Sequence, residues 1–257
     1  HLQGHAHLWR PVSLGAPAVG QPSPASPQPP HPPEGDTPER RAQWVKERAA
    51  LLEARSRPWA LAATTLAQEA KEEQEAADEP WRRGRAGTSL GRAVHAVLQT
   101  VDLATGAGLE ATARAQATAE GIPERQAEVA RLARNALESP VVRRAVASGR
   151  WWREVPIAAP VGNGVLEGFV DLLFQEGGEL VVVDYKTDAL KTQEDLAKAM
   201  DRYRLQGGAY ALALERATGR RVKEVVFLFL QPHHEESLKD VAALMEQARG
   251  AAQAHLG

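Results

Sequence analysis

One stretch, EGFVDLLFQEGGELVVVDYKTD at residues 167–188, constrains the fold of this chain more than any other. Its two apolar runs are joined by Gly177-Gly178, and a two-residue type I′ turn favours that dipeptide because both positions need a positive φ. The pattern therefore predicts a β-hairpin in which Glu176 faces Glu179. In this register the numbers of facing residues sum to 355, for any symmetric loop length.

Two aspartates interrupt the apolar strands and satisfy the same register. Asp171 and Asp184 are predicted to lie opposite each other on one face of the hairpin, with Cβ atoms roughly 5 Å apart. Period-two alternation places Lys186 on the face of Asp184 and turns Tyr185 to the other face. The alternative is that the two aspartates and the lysine lie on an exposed strand face, since most charged residues are exposed.

Facing carboxylates destabilise a sheet, and burial beside Val and Leu makes the cost larger unless cations compensate. Lys186 supplies one cation, and a divalent metal ion is the second that we expect. Hard oxygen ligands with no cysteine nearby favour Mg²⁺ or Mn²⁺ over zinc. The hairpin is therefore a candidate metal site.

The composition describes a globular protein that can bury a core. The chain has 257 residues, of which 43% are hydrophobic and 25% charged, enough for one large domain or for a domain with an extension. No apolar run approaches the length of a membrane span, and the start shows no signal-peptide pattern. The absence of cysteine excludes disulfides, thiolate zinc sites and cysteine-ligated iron–sulfur clusters, and permits a cytosolic location.

The net charge of −2 limits how a nucleic acid could be bound, because nucleic-acid partners usually require a basic balance. Any contact with phosphate is therefore expected to be local. Three short basic clusters are candidates: WRRGR at 81–85, VVRR ending at Arg144, and DRYR ending at Arg204. The alternative for each cluster is a solvated helix face.

The first 57 residues differ in character from the remainder. Residues 11–34 are rich in Pro, Ala and Ser and predict a linker or disordered arm. A helix follows, with Thr37 as N-cap and Pro38 in its first position, and it ends at Arg57-Pro58. We therefore expect residues 1–57 to tether a domain formed by residues 58–257. Because the chain opens at His1, we also expect it to be a piece excised from a longer polypeptide.

The second region alternates helical and strand patterns. Residues 59–79 predict partial helix, Thr88 or Ser89 an N-cap before an apolar stripe, and residues 109–148 helices interrupted near GIPE. A strand at 151–161, the hairpin, a helix ending at Gly219, a buried strand VKEVVFLFLQ and a closing helix at 235–256 complete the order. This order predicts an α/β (α+β) domain with a central mixed sheet of about four or five strands flanked by helices.

Four further residues are candidates for the same site. His95 follows Gly91 by one helical turn, and a glycine there suggests that something packs close to that turn. Glu154 lies on the strand before the hairpin, and Gln206 and Tyr210 share a helix face at i and i+4. Taken singly, each has an ordinary alternative: a core or surface histidine, an exposed acid, or an amphipathic surface pair.

Together these motifs resemble a known family over roughly residues 59–232. The motifs, in order, are GxxxHxxL at 91–98, Glu154 on a strand, GFVD at 168–171, VVDYKTD at 182–188 and QxxxY at 206–210. The series resembles the RecB/AddA-type nuclease domain of the PD-(D/E)XK nuclease superfamily. The resemblance implies a restriction-endonuclease-like core.

The resemblance also implies a role for each motif residue. Four residues would ligate Mg²⁺ or Mn²⁺: His95, Asp171, Asp184 and, through its backbone carbonyl, Tyr185. Lys186 would lie beside the attacking water and the scissile phosphate, with Glu154 near the metal. Gln206 and Tyr210 would orient the active site or the DNA strand. Relatives that carry an iron–sulfur cluster need four cysteines, so this chain is similar to the cluster-free branch.

The implied function is a metal-dependent DNA nuclease, acting as an exonuclease on single strands or DNA ends. Such domains lie at the C-terminal end of a UvrD-like helicase, or work with a partner protein, in double-strand break repair in the bacterial cytoplasm, without a membrane partner. These residues contain no GxxxxGK[ST] loop of a motor. Two alternatives remain: a non-catalytic DNA-binding or scaffold module of the same fold, and an autonomous structure-specific endonuclease, against which the near-neutral charge argues.

Overall fold

The computed structural model describes residues 37–56, 60–68, 88–190 and 192–256. The chain divides into two compact units, residues 1–57 and 58–257, which are described separately. In the first unit, helix α1 (Pro38–Ser56) begins where the sequence predicts, and Thr37 Oγ1 accepts a hydrogen bond from Arg40 N at 3.3 Å. The Pro-rich stretch and the basic cluster at 81–85 lie outside the described residues.

The second unit contains a sheet and the helices that cover it. Its described elements are β1 (Ala60–Ala62), α2 (Ala63–Gln68), α3 (Ser89–Thr100), α4 (Leu109–Ala119), α5 (Gln126–Glu138), α6 (Pro140–Ser148), β2 (Trp151–Val161), β3 (Gly164–Glu176), β4 (Glu179–Lys186), α7 (Gln193–Thr218), β5 (Val222–Phe229), β6 (His234–Leu238) and α8 (Val241–Leu256). Thr88 caps α3, and Gly219 ends α7 with φ 66°, as the sequence predicts. None of the helices in the described ranges has the length and apolar character that a membrane crossing requires.

The sheet is mixed and its strands follow the order β1-β3-β4-β5-β6, with β2 also paired to β3. β1 is parallel to β3 and β4 is parallel to β5, whereas the other pairs are antiparallel. One apolar core lies between the sheet and α7 and α8, and a second lies between the opposite face and α3 to α6. The predicted α/β class is confirmed, with six strands in the described residues rather than about four or five.

Two strands were not predicted. The start of the predicted closing helix is instead β6, which pairs antiparallel with β5, so that part of the helix prediction is wrong. The sequence HEESL has no apolar periodicity of its own, and its conformation follows from pairing with the edge of β5. β1 has only three residues and pairs with residues 165–167 of β3. β1 is therefore too short to produce a period-two pattern.

The predicted hairpin register is confirmed along the paired part of β3 and β4. The pairs run from Glu176–Glu179 to Leu172–Val183, and Gly177 and Gly178 have φ of 63° and 89°. Positive φ at both positions is what a type I′ turn requires. The paired stretch ends one residue before Asp171 and Asp184, so these aspartates lie where the two strands begin to separate.

Close packing of α7 against α8 depends on a glycine. A Cβ built on Gly208 would lie 2.2 Å from the carbonyl oxygen of Leu244 in α8, which is far inside contact distance. The neighbouring Gly207 packs against Phe227 of β5. The GG of the motif QGGAY therefore lets one long helix approach both another helix and the sheet.

We expect Gly208→Ala to lower the free energy of unfolding by more than about 2 kcal/mol, because backbone rather than a flexible side chain must move. Gly250→Ala in α8 is the matched control, since a Cβ there meets nothing within 4 Å. The control should stabilise the helix by about 0.5–1 kcal/mol. Urea unfolding of the three proteins measures both effects. Equal behaviour of the two variants would contradict this packing.

A cluster of ion pairs joins the far end of the hairpin to α6 and β5. Arg144 Nη2 lies 2.9 Å from Glu176 Oε2 and 2.7 Å from Glu224 Oε2, and Lys223 Nζ lies 2.6 Å from Glu176 Oε2. Ser237 Oγ donates to Glu224 at 2.6 Å. Arg144, a candidate for phosphate contact in the sequence, is thus held by two carboxylates.

This cluster predicts a pH dependence of stability. Hydrogen bonds from Arg144 and Lys223 lower the pKa of Glu176 from 4.5 to about 2. Its folded-state pKa is depressed, so its contribution is present above pH 4.5 and is lost as the pH falls toward 2. Because the side chain is partly exposed, we expect less than about 1 kcal/mol. In thermal melts from pH 2 to 6, Glu176→Gln should be less stable than the parent only above about pH 3. The control is Glu246→Gln, which changes an exposed carboxylate of α8.

Candidate functional site

The site lies at a gap along one edge of β3. β2 pairs with β3 along one edge, so β1 and β4 share the other, where β1 pairs with residues 165–167 and β4 with residues 172–176. Residues 168–171 lie between these two paired stretches. At the end of the gap, Asp171 Oδ2 accepts a hydrogen bond from Tyr185 N at 2.7 Å. A side-chain carboxylate thus takes the place of a backbone acceptor where β4 turns away from β3.

Three potential metal ligands converge beside this hydrogen bond. One ligand atom each from His95 of α3, Glu154 of β2 and Asp171 of β3 lie within 4.8 Å of one another. His95 Nδ1 is 3.0 Å from Asp171 Oδ1. Glu154 has φ 49°, a rare left-handed conformation for a residue with a side chain, and it interrupts the β2–β3 pairing. The structure therefore brings three of the predicted site residues together.

Helix α3 is fixed at both ends by neighbours of the site. At its start, a Cβ on Gly91 would lie 3.0 Å from Thr187 Oγ1, so the predicted close packing at that glycine is confirmed. At its end, Arg153 Nη1 donates to the carbonyl oxygens of Leu98 at 3.0 Å and Val101 at 2.7 Å. These contacts set the position of His95 relative to β2 and β4.

A second group of predicted residues lies on the side of the sheet that faces α7. Lys186 Nζ is 2.6 Å from Asp184 Oδ2 and donates to Gln206 Oε1 at 2.9 Å. Gln206 Nε2 donates to Tyr210 Oη at 2.6 Å and lies 3.5 Å from Asp184 Oδ1. The i, i+4 pair of α7 therefore contacts both charged residues of the DYK sequence.

Asp184 is buried, with 4% of its surface exposed, and its Oδ2 has no hydrogen-bond partner among the described residues. Oδ2 is instead ion-paired with the Lys186 ammonium, whose Nζ lies 2.6 Å away. A buried carboxylate is costly unless a cation neutralises it, and Lys186 supplies that charge in the metal-free protein. The donor set of imidazole and carboxylates, with this oxygen beside it, fits a hard divalent ion.

The electrostatics of the site reflect its burial and its acids. Desolvation alone would lower the pKa of His95, but the charge of Asp171 and the hydrogen bond with it raise that pKa from 6.5 to about 9. Burial raises the pKa of Asp184, and the Lys186 ammonium opposes this. Burial would lower the pKa of Lys186, yet the charge of Asp184 raises it overall. Lys186 is therefore a cation at neutral pH.

The β3–β4 pairing ends one residue before Asp171 and Asp184, so their facing arrangement stays a prediction, and their side chains have different contacts. Asp171 contacts His95 of α3, whereas Asp184 contacts Lys186 and Gln206 on the α7 side. Glu154 itself is left out of the β2–β3 pairing, although the register is the same on both sides of it. Alternation on β4 holds: Lys186 shares the side of Asp184, and Tyr185 packs in the core on the opposite face.

Some residues around the site were not predicted. Tyr203 of α7 places its ring centroid 3.9 Å from Lys186 Nζ, and its hydroxyl donates to Asp188. Tyr203 precedes Gln206 by three residues, so helical spacing alone could have identified it. Arg153 could not be identified in this way, because its partners are backbone carbonyls distant in sequence.

Comparisons with known proteins show what the chain is similar to. A protein of Desulforudis audaxviator (strain MP104C), named as a subunit of an ATP-dependent helicase/nuclease, is 36% identical over 170 residues, which are 58% of this chain and 13% of the relative. The protein of the same name from Clostridium acetobutylicum is 32% identical over 126 residues, 42% of this chain and 10% of the relative. The chain thus spans a small part of these relatives.

A solved structure of a candidate exonuclease from Eubacterium rectale aligns over 79% of this chain and 80% of its own, with a TM-score of 0.41 and 11% identity, too low a likeness to support a statement about function. The sequence model of the PD-(D/E)XK nuclease superfamily matches residues 70–256, well over half of the chain. With this match and the named relatives, the resemblance found in the sequence is confirmed: the chain belongs to the PD-(D/E)XK nuclease superfamily.

Proposed function

We propose that this chain is a metal-dependent DNA nuclease domain that hydrolyses phosphodiester bonds, as an exonuclease on single strands or DNA ends. One observation carries the proposal: a cluster of potential metal ligands and a buried Asp–Lys ion pair meet where β3 and β4 separate. A metal ligand set beside a fixed cation is what hydrolysis of a phosphodiester requires. Membership of a nuclease superfamily supports the same reaction.

In this proposal His95, Asp171, Asp184 and the carbonyl of Tyr185 hold Mg²⁺ or Mn²⁺, and Glu154 lies close enough to take part. When bound, such an ion supplies a water of lowered pKa and positive charge near the phosphate oxygens. The triplet around Asp171 supports this ligand set, as does the buried carboxylate of Asp184, whose pKa responds to the charges of Asp171 and His95. No iron–sulfur cluster is proposed, since the chain has no cysteine to ligate one.

The chain's own residues perform the other steps. Lys186 is charged and half-buried, so it stabilises negative charge that develops on the phosphate and does not act as the base. Gln206 accepts a hydrogen bond from Lys186 and donates one to Tyr210, which keeps the ammonium and the two α7 side chains in one arrangement. Such preorganisation matters because the groups need not reorient as the reaction proceeds.

We further propose that the domain receives DNA from a helicase motor, either in the same polypeptide or in a partner protein, and works in double-strand break repair in the bacterial cytoplasm. The relatives are named as parts of a helicase/nuclease and come from bacteria, which supports this setting. The net charge of −2 also favours a partner that delivers DNA, because few phosphate contacts are available for autonomous capture.

The first experiment measures degradation of labelled single- and double-stranded DNA by the 257-residue chain with Mg²⁺, Mn²⁺ or chelator. Asp184→Asn and Lys186→Ala should each lower the single-turnover rate by about a thousandfold, because the groups act as a unit. Asp201→Asn and Lys198→Ala, exposed substitutions on α7, are the matched controls.

Metal-dependent cleavage that both site variants retain at full rate would contradict the proposal. If no protein cleaves but calorimetry detects Mg²⁺ binding that Asp184→Asn abolishes, the site requires a partner to deliver DNA. An absence of both cleavage and metal binding would favour the non-catalytic module.

Metal affinity should depend on pH. The pKa of His95 in the metal-free protein is about 9, so at pH 7 its ring is protonated and must lose a proton to become a ligand. The apparent affinity should therefore rise by about tenfold per pH unit below pH 9, with about one proton released per ion. Calorimetry in two buffers of different ionisation enthalpy measures the release. His95→Asn should abolish it, and His234→Asn, on β6, should not; release that survives His95→Asn would assign the proton elsewhere.

A further inference from the structure

The Lys186 ammonium has a third neighbour besides Asp184 and Gln206. Its Nζ lies 3.9 Å from the centroid of the Tyr203 ring, well within the distance for a cation–π contact. Lys186 and Tyr203 are both mostly shielded from water, which strengthens such contacts. The ammonium is thus held by a carboxylate, an amide oxygen and the face of an aromatic ring.

The Tyr203 ring is itself fixed. Its hydroxyl lies 3.0 Å and 3.1 Å from the two carboxylate oxygens of Asp188, to which it donates. The ring stacks on Phe227 of β5, with centroids 5.6 Å apart and an interplanar angle of 25°. Arg202 lies near both, 4.0 Å from Asp188 Oδ1. Asp188 follows Lys186 by two residues, so one short segment supplies the lysine and the anchor of the ring that it contacts.

The Tyr203 ring matters because Asp184 has two roles in the proposed function, as the ion-pair partner of Lys186 and as a metal ligand. Its Oδ2 lies 2.6 Å from Lys186 Nζ, and the same carboxylate is a ligand in the proposed metal site. If Asp184 turns to another cation, the lysine loses its ion pair, and its four-carbon side chain is free to adopt other rotamers. Gln206, the Tyr203 ring and the more distant Phe227 ring, with its centroid 5.7 Å from Nζ, are the contacts that remain.

We propose that Tyr203, anchored by Asp188, is a positioning residue that holds the Lys186 ammonium at the reacting phosphate while Asp184 serves as a ligand. This inference rests on the proposed nuclease function. Tyr203 acts through Lys186 and needs no contact with DNA. Removing the ring should therefore slow the chemical step without weakening the binding of metal or DNA.

Kinetics of the 257-residue chain test this role. Tyr203→Leu should lower kcat by about tenfold with KM changed less than about twofold, and Tyr203→Phe, which keeps the ring, should lose no more than about threefold. Asp188→Ala removes the same hydrogen bond as Tyr203→Phe, so the double variant should match either single variant.

The decisive arm repeats Tyr203→Leu in the Lys186→Ala background. A residue that acts through Lys186 has no further effect once the lysine is absent, so the residual single-turnover rate should stay the same. If Tyr203→Leu lowers that residual rate by the same factor as in the parent, Tyr203 supports the fold generally and the proposal is overturned. Full activity of Tyr203→Leu in the parent would also overturn it.

A spectroscopic arm does not depend on cleavage. In protein with ¹³C-labelled lysine, the ε-methylene protons of Lys186 should be shifted upfield by the Tyr203 ring current. The shift should persist in Tyr203→Phe and vanish in Tyr203→Leu, while the other lysines stay unchanged. If the parent chain neither cleaves DNA nor binds Mg²⁺, the proposed function fails, but this shift still decides whether Tyr203 holds the ammonium. A Lys186 resonance without the shift would overturn the proposal.

Discussion

The hydrogen bond from Tyr185 N to Asp171 Oδ2 holds the site together. It joins β3 and β4 just beyond their last backbone pair, so a side-chain carboxylate accepts the hydrogen bond there in place of a backbone carbonyl. The same carboxylate contacts His95 through its other oxygen, which links α3 to the strands. A buried N–H left without an acceptor costs about 1–3 kcal/mol, so β4 depends on an acid at this position for its course as well as for any ligand that the acid binds.

The charges of the site are arranged in pairs. Lys186 balances Asp184, and His95 with a raised pKa balances Asp171 in the metal-free protein. Replacing the proton on His95 by a divalent ion would satisfy both acids at once, which explains why the site tolerates two carboxylates in a region that is otherwise apolar.

Much of this arrangement could be predicted from the sequence, because the hairpin carries its own register. Gly177-Gly178 fixes which residues of β3 and β4 face each other, and helical spacing brings Gln206 and Tyr210 to one face. The positive φ of Glu154 could not be predicted, since no residue type there demands it. A short strand such as β6 forms because it pairs with the edge of β5, and the local sequence pattern carries no information about that pairing.

The residues of the sequence DYKTD alternate between contacts with α7 and contacts on the α3 side of the sheet, at the end of β4. Asp184 and Lys186 contact α7, while Tyr185 packs in the core beneath α3, as alternation along a strand requires. Beyond the strand, the next two residues repeat the division: Thr187 packs against the glycine turn of α3, and Asp188 anchors Tyr203 of α7. Inserting one residue would turn every following side chain to the opposite side of the sheet. The residues that now contact α7 would then face α3, which carries His95.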